Sequence, residues 1–346
     1  MTPKTFIWVA VSTAVALAAV AVSLGRDTGY RPVAGAGEKV FPGLLERVND
    51  VARITIENAD GKITLENGTQ GWTMKDREGY PARTVKIKRS VLGLAQLQLS
   101  EAKTRRPEKY AKLELQDISA PGTNKGAKSK RVKLFDGAGK VGADLLVGKR
   151  RGALAGTPGG GLYVRTPGDQ QTWLAAGDAD FSGSPENWLE RKIVNIKGAR
   201  VQTVVIRHPD GETVKLSKAA EETKDFTLEA LPEGKKVILQ FALDAIGKAL
   251  ADLQLDDVKK DNGGFDDDTA AGKVTAIEYL TFDGLFVQVR VVKRDGAHWL
   301  RLEATGEAAE EITARTKGWV YKVSDYTAST LTKRLADLIE DEKPKS

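Results

Sequence analysis

The sequence contains no cysteine and only two histidines among its 346 residues. Without thiols, disulfides, thiolate nucleophiles, iron–sulfur clusters and cysteine-ligated zinc are excluded together. His208 lies beside a turn (His208-Pro209-Asp210-Gly211), and His298 precedes Trp299 at the start of a strand after another turn, places where side chains are mostly exposed. Neither has a second ligand at metal spacing or a Ser and Asp in a recognisable catalytic order. No acidic pair stands out as acid and base among 47 carboxylates. The expectation is a protein with no catalytic, cofactor-binding or metal-binding residues, hence no cofactor, and not an enzyme.

Charge of one sign is nearly balanced outside a single stretch. The net charge is +6, yet residues 101–151 hold fourteen Lys or Arg against six Asp or Glu, so the remainder is slightly acidic. Three clusters make up this stretch: Arg105-Arg106, Lys128-Lys130-Arg131 and Lys149-Arg150-Arg151. With few aromatics between them they read as a solvated face, with anionic headgroups or an acidic partner as the alternative and no nucleic-acid partner.

Long apolar runs are also missing, with one exception. Phe6 to Leu24 (FIWVAVSTAVALAAVAVSL) carries no charge. As a helix it would measure about 28 Å, close to a bilayer's hydrocarbon core. Ala19-Val20-Ala21 and Ala21-Val22-Ser23 would suit a signal peptidase, but the run exceeds the roughly 7–15 residues of a cleaved signal core, which favours a retained anchor. Phe6, Trp8 and Tyr30 fit interfacial positions. Lys4 on one side and Arg26 and Arg31 on the other leave the charge rule undecided. The short tail before the run places the body in the periplasm, the chain being single-pass in the inner membrane.

The remainder divides into residues 1–24 as signal anchor, 25–40 as a flexible linker rich in Gly, Pro and Ala, and two halves, 41–197 and 198–346. The halves are suggested by internal repetition. Val51 to Leu65 alternates around Asp60-Gly61 and Val201 to Leu216 around Asp210-Gly211, each a hairpin pattern compatible with a type I′ turn. An aromatic strand follows in each, at Trp72-Thr73-Met74 and Phe226-Thr227-Leu228. The helices that come next end at Leu94 to Leu99 and Leu250 to Leu255. The second is expected to bury Ile238, Phe241, Ala242, Ala245, Ile246, Ala249, Leu250 and Leu253 on one stripe; the first buries Ile87, Val91, Leu94 and Ala95. Further strands pair Val132 to Gly137 with Tyr279 to Gly284, Tyr163-Val164-Arg165 with Trp299-Leu300-Arg301, and Trp173-Leu174 with Trp319-Val320-Tyr321. A last helix is predicted over Tyr326 to Glu340, capped by Ser324 or Asp325. The fold class is α+β: an N-terminal transmembrane helix, then two duplicated halves of mostly antiparallel sheet with packed helices.

Two loops mimic sites. Gly156 to Gly161 (GTPGGG) resembles a phosphate cradle but runs into the strand Leu162 to Arg165 rather than into Gly-Lys-Ser/Thr and a helix, so it reads as a hairpin loop. Asp261 to Asp268 (DNGGFDDD) is oxygen-rich yet lacks the alternating ligand positions of a calcium loop and reads as an acidic connection.

Phe41-Pro42-Gly43-Leu44, Ile54-Thr55-Ile56, Gly71-Trp72, Val147-Gly148, Tyr163-Val164-Arg165, Trp188 to Ile193 and Gly318 to Lys322 together resemble a bacterial family, the domain of unknown function 4340. The likeness extends over roughly residues 40–340. It implies a membrane-anchored envelope protein, some members being linked to gliding-motility-type ABC transporters, and it carries no established activity or catalytic residues. The expected function is a non-catalytic accessory or scaffold subunit of a membrane complex, with an ABC-type permease and ATPase or other envelope proteins as partners and residues 6–24 in the inner membrane. The alternative is a periplasmic module binding a ligand or glycan in the cleft between the halves. An envelope hydrolase with an unrecognised site is the third reading.

Overall fold

The structure is a computed structural model and describes residues 35–118, 127–152 and 159–342. The anchor reading of Phe6–Leu24 lies outside the described residues. Among those described, no helix is long and apolar enough to cross a membrane. They form a mixed α/β protein in which every strand pair is antiparallel.

The first half contains β1 (Val51–Glu57), β2 (Lys62–Gly68), β3 (Gly71–Met74), β4 (Tyr80–Pro81), α1 (Thr84–Gln96), β5 (Gln98–Ala102) and α2 (Tyr110–Leu113). It continues through β6 (Lys130–Asp136), β7 (Val141–Arg151), β8 (Gly161–Arg165), β9 (Thr172–Ala176) and β10 (Lys192–Val194). The second contains β11 (Val201–Arg207), β12 (Thr213–Ser217), β13 (Thr227–Leu228), β14 (Lys235–Val237), α3 (Gln240–Gly247), β15 (Leu253–Gln254), β16 (Asp257–Lys260) and α4 (Gly264–Ala270). It ends with β17 (Thr275–Thr281), β18 (Phe286–Arg294), β19 (Ala297–Thr305), α5 (Ala309–Thr316), β20 (Trp319–Val323), α6 (Asp325–Leu331) and β21 (Ile339–Asp341).

The nine-stranded sheet runs β4-β3-β2-β1-β6-β7-β8-β9-β5 and the eight-stranded sheet β13-β12-β11-β17-β18-β19-β20-β16. Apart from β4, each strand has a counterpart at the same place in the other sheet. Small contacts repeat as well. Arg165 on β8 lies 4.5 Å from the Tyr110 ring, and Arg301 on β19 lies 5.8 Å from the Phe265 ring. Lys39 bridges to Gln98 just as Lys192 pairs with Gln254. Residues 35–40, read as the end of a linker, therefore lie along the start of β5, with Gly37 and Val40 amides donating to the Leu99 and Leu97 carbonyls.

One apolar core runs through both halves and takes in Ile54, Leu65, Ile87, Leu94, Ile246, Tyr279 and Leu300. Each such side chain contributes about 1.5–3 kcal/mol on burial. Where the sheets approach, Tyr80 stands edge-on to Trp319 at 4.9 Å and to Tyr321 at 6.2 Å. Burial pushes the Tyr80 hydroxyl up to about 12. Aromatic side chains thus pack at this contact between the halves, where the alternative reading placed a ligand cleft.

Several local expectations need correction. The Asp60-Gly61 and Asp210-Gly211 turns are not type I′. Asn58 Oδ1 accepts from the Asp60 and Gly61 amides at 3.0 and 2.9 Å, and only Gly211 of the second pair has positive φ in the left-handed range. The type I′ geometry occurs at Asp295-Gly296, with φ of 52° and 75°. The expected helix from Tyr326 to Glu340 ends at Leu331, although Ser324 caps it by accepting from the Thr327 amide at 3.1 Å. Glu212 is the reason: its carboxylate takes the Leu335 amide at 2.6 Å, which a continuing helix would have spent on the chain itself.

Of the stripe predicted for the second helix, Ile246, Leu250 and Leu253 are buried and Ala242 and Ala249 pack against the core, but the buried face is turned away from Phe241. Phe241 is 73% exposed and Ile238 39%, while Leu243, Ile246 and Gly247 are buried. Gly247 sets the rotation, because a Cβ there would lie 2.1 Å from Phe226 Cε2. A bare glycine face admits the Phe226 ring, and Phe241 turns outward as a consequence. The helix also stops at Gly247, and β15 begins at Leu253 where helix had been expected.

Candidate functional site

The start of α1 and of α3 is fixed in the same way in both halves. The Arg83 amide donates to the Trp188 carbonyl at 2.8 Å, and the Ile238 amide to the Leu338 carbonyl at 2.9 Å. The second residue of each helix, Val85 or Phe241, is 73% exposed. Each helix forms one wall of a groove, and the other wall is the segment that follows β9 or β20. The grooves hold about 680 Å³ in the first half and about 470 Å³ in the second.

Their chemistry has diverged. The first groove presents Arg83, Lys86 and Arg89 with Asp178, Asp180 and Glu190. Lys86 Nζ pairs with Asp180 at 3.0 Å and Arg150 with Asp178 at 2.6 Å. The second has Leu239, Ala242 and Ala245 at the positions of Arg83, Lys86 and Arg89, and its wall carries Phe241, Ala245 and Ala249, faced by Tyr326, which is 72% exposed. Its charges neutralise one another: Lys248 pairs with Asp244 at 3.4 Å and Arg191 with Asp256 at 3.2 Å. Leu239, also exposed, extends the apolar surface beyond the groove. All the second groove's lining except Arg191 comes from residues after 198, so it is not the cleft between halves first envisaged.

The two histidines, expected to be exposed beside turns, line one cavity of about 610 Å³. His208 is 7% exposed, and its Nε2–H donates to the Lys333 carbonyl at 3.2 Å. His298 Nδ1–H donates to Asp325 at 2.9 Å. Hairpin register explains the position of His298: the two-residue turn at Asp295-Gly296 pairs Arg294 with Ala297 and hence Lys293 with His298. That pairing could have been read from the Asp-Gly dipeptide. The approach of His208 could not, since it depends on β11 and β17 being neighbours.

The remaining sequence features take structural parts. Gly156–Gly161 connects β7 to β8, and its described residues, Gly159 to Gly161, lead directly into the strand. Asp261–Asp268 is partly helical rather than a plain loop, α4 starting at Gly264. Asp261 and Asp266 each bind Arg301 Nη1 at 2.9 Å, and Asp268 binds Arg294. These acids therefore neutralise two arginines of β18 and β19. Among the described residues no group of three or more His, Asp or Glu could hold a metal ion. In the basic stretch, Arg131 pairs with Asp144 at 2.7 Å and Arg105 Nε donates to Gln171 at 2.8 Å.

Residues 72–273, more than half of the chain, match the family described as Domain of unknown function (DUF4340). The chain belongs to the DUF4340 family. The matched span begins at Trp72 in β3 and ends at Lys273, so it includes α1 and α3 but not α6. Neither a curated protein nor a solved structure matches the chain.

Proposed function

We propose that this DUF4340 member is a membrane-tethered accessory subunit that works by binding, built from two copies of one α+β module. Phe6–Leu24 holds it in the inner membrane with the body on the periplasmic side, and the groove between α3 and α6 receives a partner subunit, such as the permease of an ABC-type transporter. The observation that carries this reading is the outward placement of Phe241 and Tyr326 on facing walls of one groove. Exposed aromatics gain nothing for folding, whereas aromatic anchors in a rimmed pocket dominate binding energy at interfaces. Divergence between the two grooves supports the same reading, since both keep charged residues but only the second adds two exposed aromatics. The proposal asks for position and contact and needs no chemistry from the chain.

The test is purification of the full chain in mild detergent with crosslinking. The expected result is stoichiometric recovery of a permease and an ATPase, lost in the double variant Phe241→Ser with Tyr326→Ser. A lone monomer from the unaltered protein would overturn the proposal. A periplasm-only reporter fused after Ser346 should be active; an inactive one refutes the placement.

A second reading is a ligand- or glycan-binding module. The same two aromatics stand beside hydrogen-bonding groups of Asp244, Gln254 and Thr330, a combination that suits sugar rings. A soluble oligosaccharide that raises the melting temperature of the parent but not of the double variant would favour it.

A further inference from the structure

The cavity that collects both histidines also collects cations without acidic partners. Lys293 lies directly opposite His298 across β18 and β19, and Val291 is paired with Thr275, so Thr275, Val291, Lys293 and His298 share one face of the sheet. Val291 and Thr275 are buried at the floor, and Lys273, two residues before Thr275, closes the same cavity.

Of the other charged groups around it, Arg334 is ion-paired and the two carboxylates are hydrogen-bonded. Arg334 is held by Asp210 at 2.8 Å and Glu212 at 2.5 Å. Asp325 accepts from His298, and Asp337 accepts from the Arg334 amide at 3.0 Å. Among the described residues no carboxylate lies within ion-pair distance of Lys273 or Lys293. Two ammonium groups without an ion-pair partner among the described residues therefore line a cavity of small-ligand size, whose two carboxylates, Asp325 and Asp337, are hydrogen-bonded to other groups.

We propose that this cavity binds a phosphate-bearing anion. Lys293 and His298 stand side by side on this face and Lys273 lies at the start of the neighbouring strand, so three nitrogen-bearing side chains gather over one patch of the sheet. A phosphate has three or four oxygens that can each accept from one of these groups. The Asp325 contact fixes Nδ1 of His298, and Nε2 has no hydrogen-bond partner among the described residues. Nε2 accepts from the hydroxyl of a singly charged phosphate or, when the ring is protonated, donates to a doubly charged one. Charge-assisted contacts from two lysines supply most of the affinity.

A phosphate of this kind could be free in solution or part of a phospholipid headgroup, and the test separates the two. The full chain in non-ionic detergent is titrated calorimetrically with inorganic phosphate and with a water-soluble glycerophosphodiester. Tighter binding of inorganic phosphate assigns a free phosphate or monoester; tighter binding of the diester assigns a headgroup. The double variant Lys273→Met with Lys293→Met should weaken the favoured probe by about tenfold or more. A matched variant, Arg83→Met with Arg89→Met in the first-half groove, removes the same charge elsewhere and should leave affinity unchanged. No saturable binding of either probe, equal affinity in the lysine variant, or an equal loss in the arginine variant overturns the proposal.

Discussion

Arg77 of the first half and Asp257 of the second meet through two parallel contacts, Nε to Oδ1 at 2.5 Å and Nη2 to Oδ2 at 3.0 Å. Beside them, Glu78 Oε1 accepts the Lys260 amide at 3.2 Å. The turn before β4 is thus fastened to β16, next to the Tyr80–Trp319 contact. Replacing Arg77 with Ala should cost about 1–2 kcal/mol, since the pair is part-buried and two-pronged. Urea unfolding read by tryptophan fluorescence measures it, and a double-mutant cycle with Asp257→Ala should return a coupling of similar size.

Gly247 and Phe226 make a second close relationship that can be tested. Gly247→Ala forces a methyl group onto a buried ring and should destabilise by about 1–3 kcal/mol. Adding Phe226→Leu, which shortens the obstructing side chain, should recover part of that loss. If Gly247→Ala alone is neutral, the rotation of α3 has another cause.

The two faces of α3 should respond oppositely to substitution. Phe241→Ser should change stability by less than about 0.5 kcal/mol, whereas Leu243→Ala, 1% exposed, should lose about 2–5 kcal/mol. Thermal or chemical denaturation of the two variants, measured side by side, decides which face is buried.

How much was legible in the sequence is clearest on this helix. The alternating strands, their order within each half and the buried Ile87, Val91, Leu94 and Ala95 of α1 follow from local periodicity, which the structure retains. On α3 nearly every position is apolar, so periodicity could not choose a face. A glycine at 247 and an aromatic twenty-one residues earlier made the choice. The candidate sites were less legible for the same reason: Phe241 with Tyr326, and His208 with His298, are brought together by sheet order and not by spacing along the chain.

Acid should weaken the second half through Asp283. The Thr281 hydroxyl and the Arg200 guanidinium hold its carboxyl below the usual 3.8. Because the folded value is the lower one, the stabilisation is fully present above the unfolded value and is lost as pH falls through the folded value. Asp283→Asn should therefore flatten the acid limb of the stability–pH curve below about pH 4.

Lys218 should act at the other end of the scale. Its ammonium is buried and donates to the Gly198 and Ala199 carbonyls at 3.0 and 2.8 Å, and burial holds it below the usual 10.5. The unfolded chain then keeps this proton more tightly than the folded one, so stability rises with pH between the folded value and 10.5. Lys218→Met should abolish that rise, as followed by melting temperature across alkaline buffers.

Docking of residues 35–40 on β5 has a consequence for reach. If Phe6–Leu24 spans the membrane as proposed, only residues 25–34 remain between bilayer and body. Fully extended, ten residues cover at most about 35 Å. The body is then on a short leash, its attachment at β5 held within that radius of the bilayer, and a partner must reach the groove within that radius plus the breadth of the body.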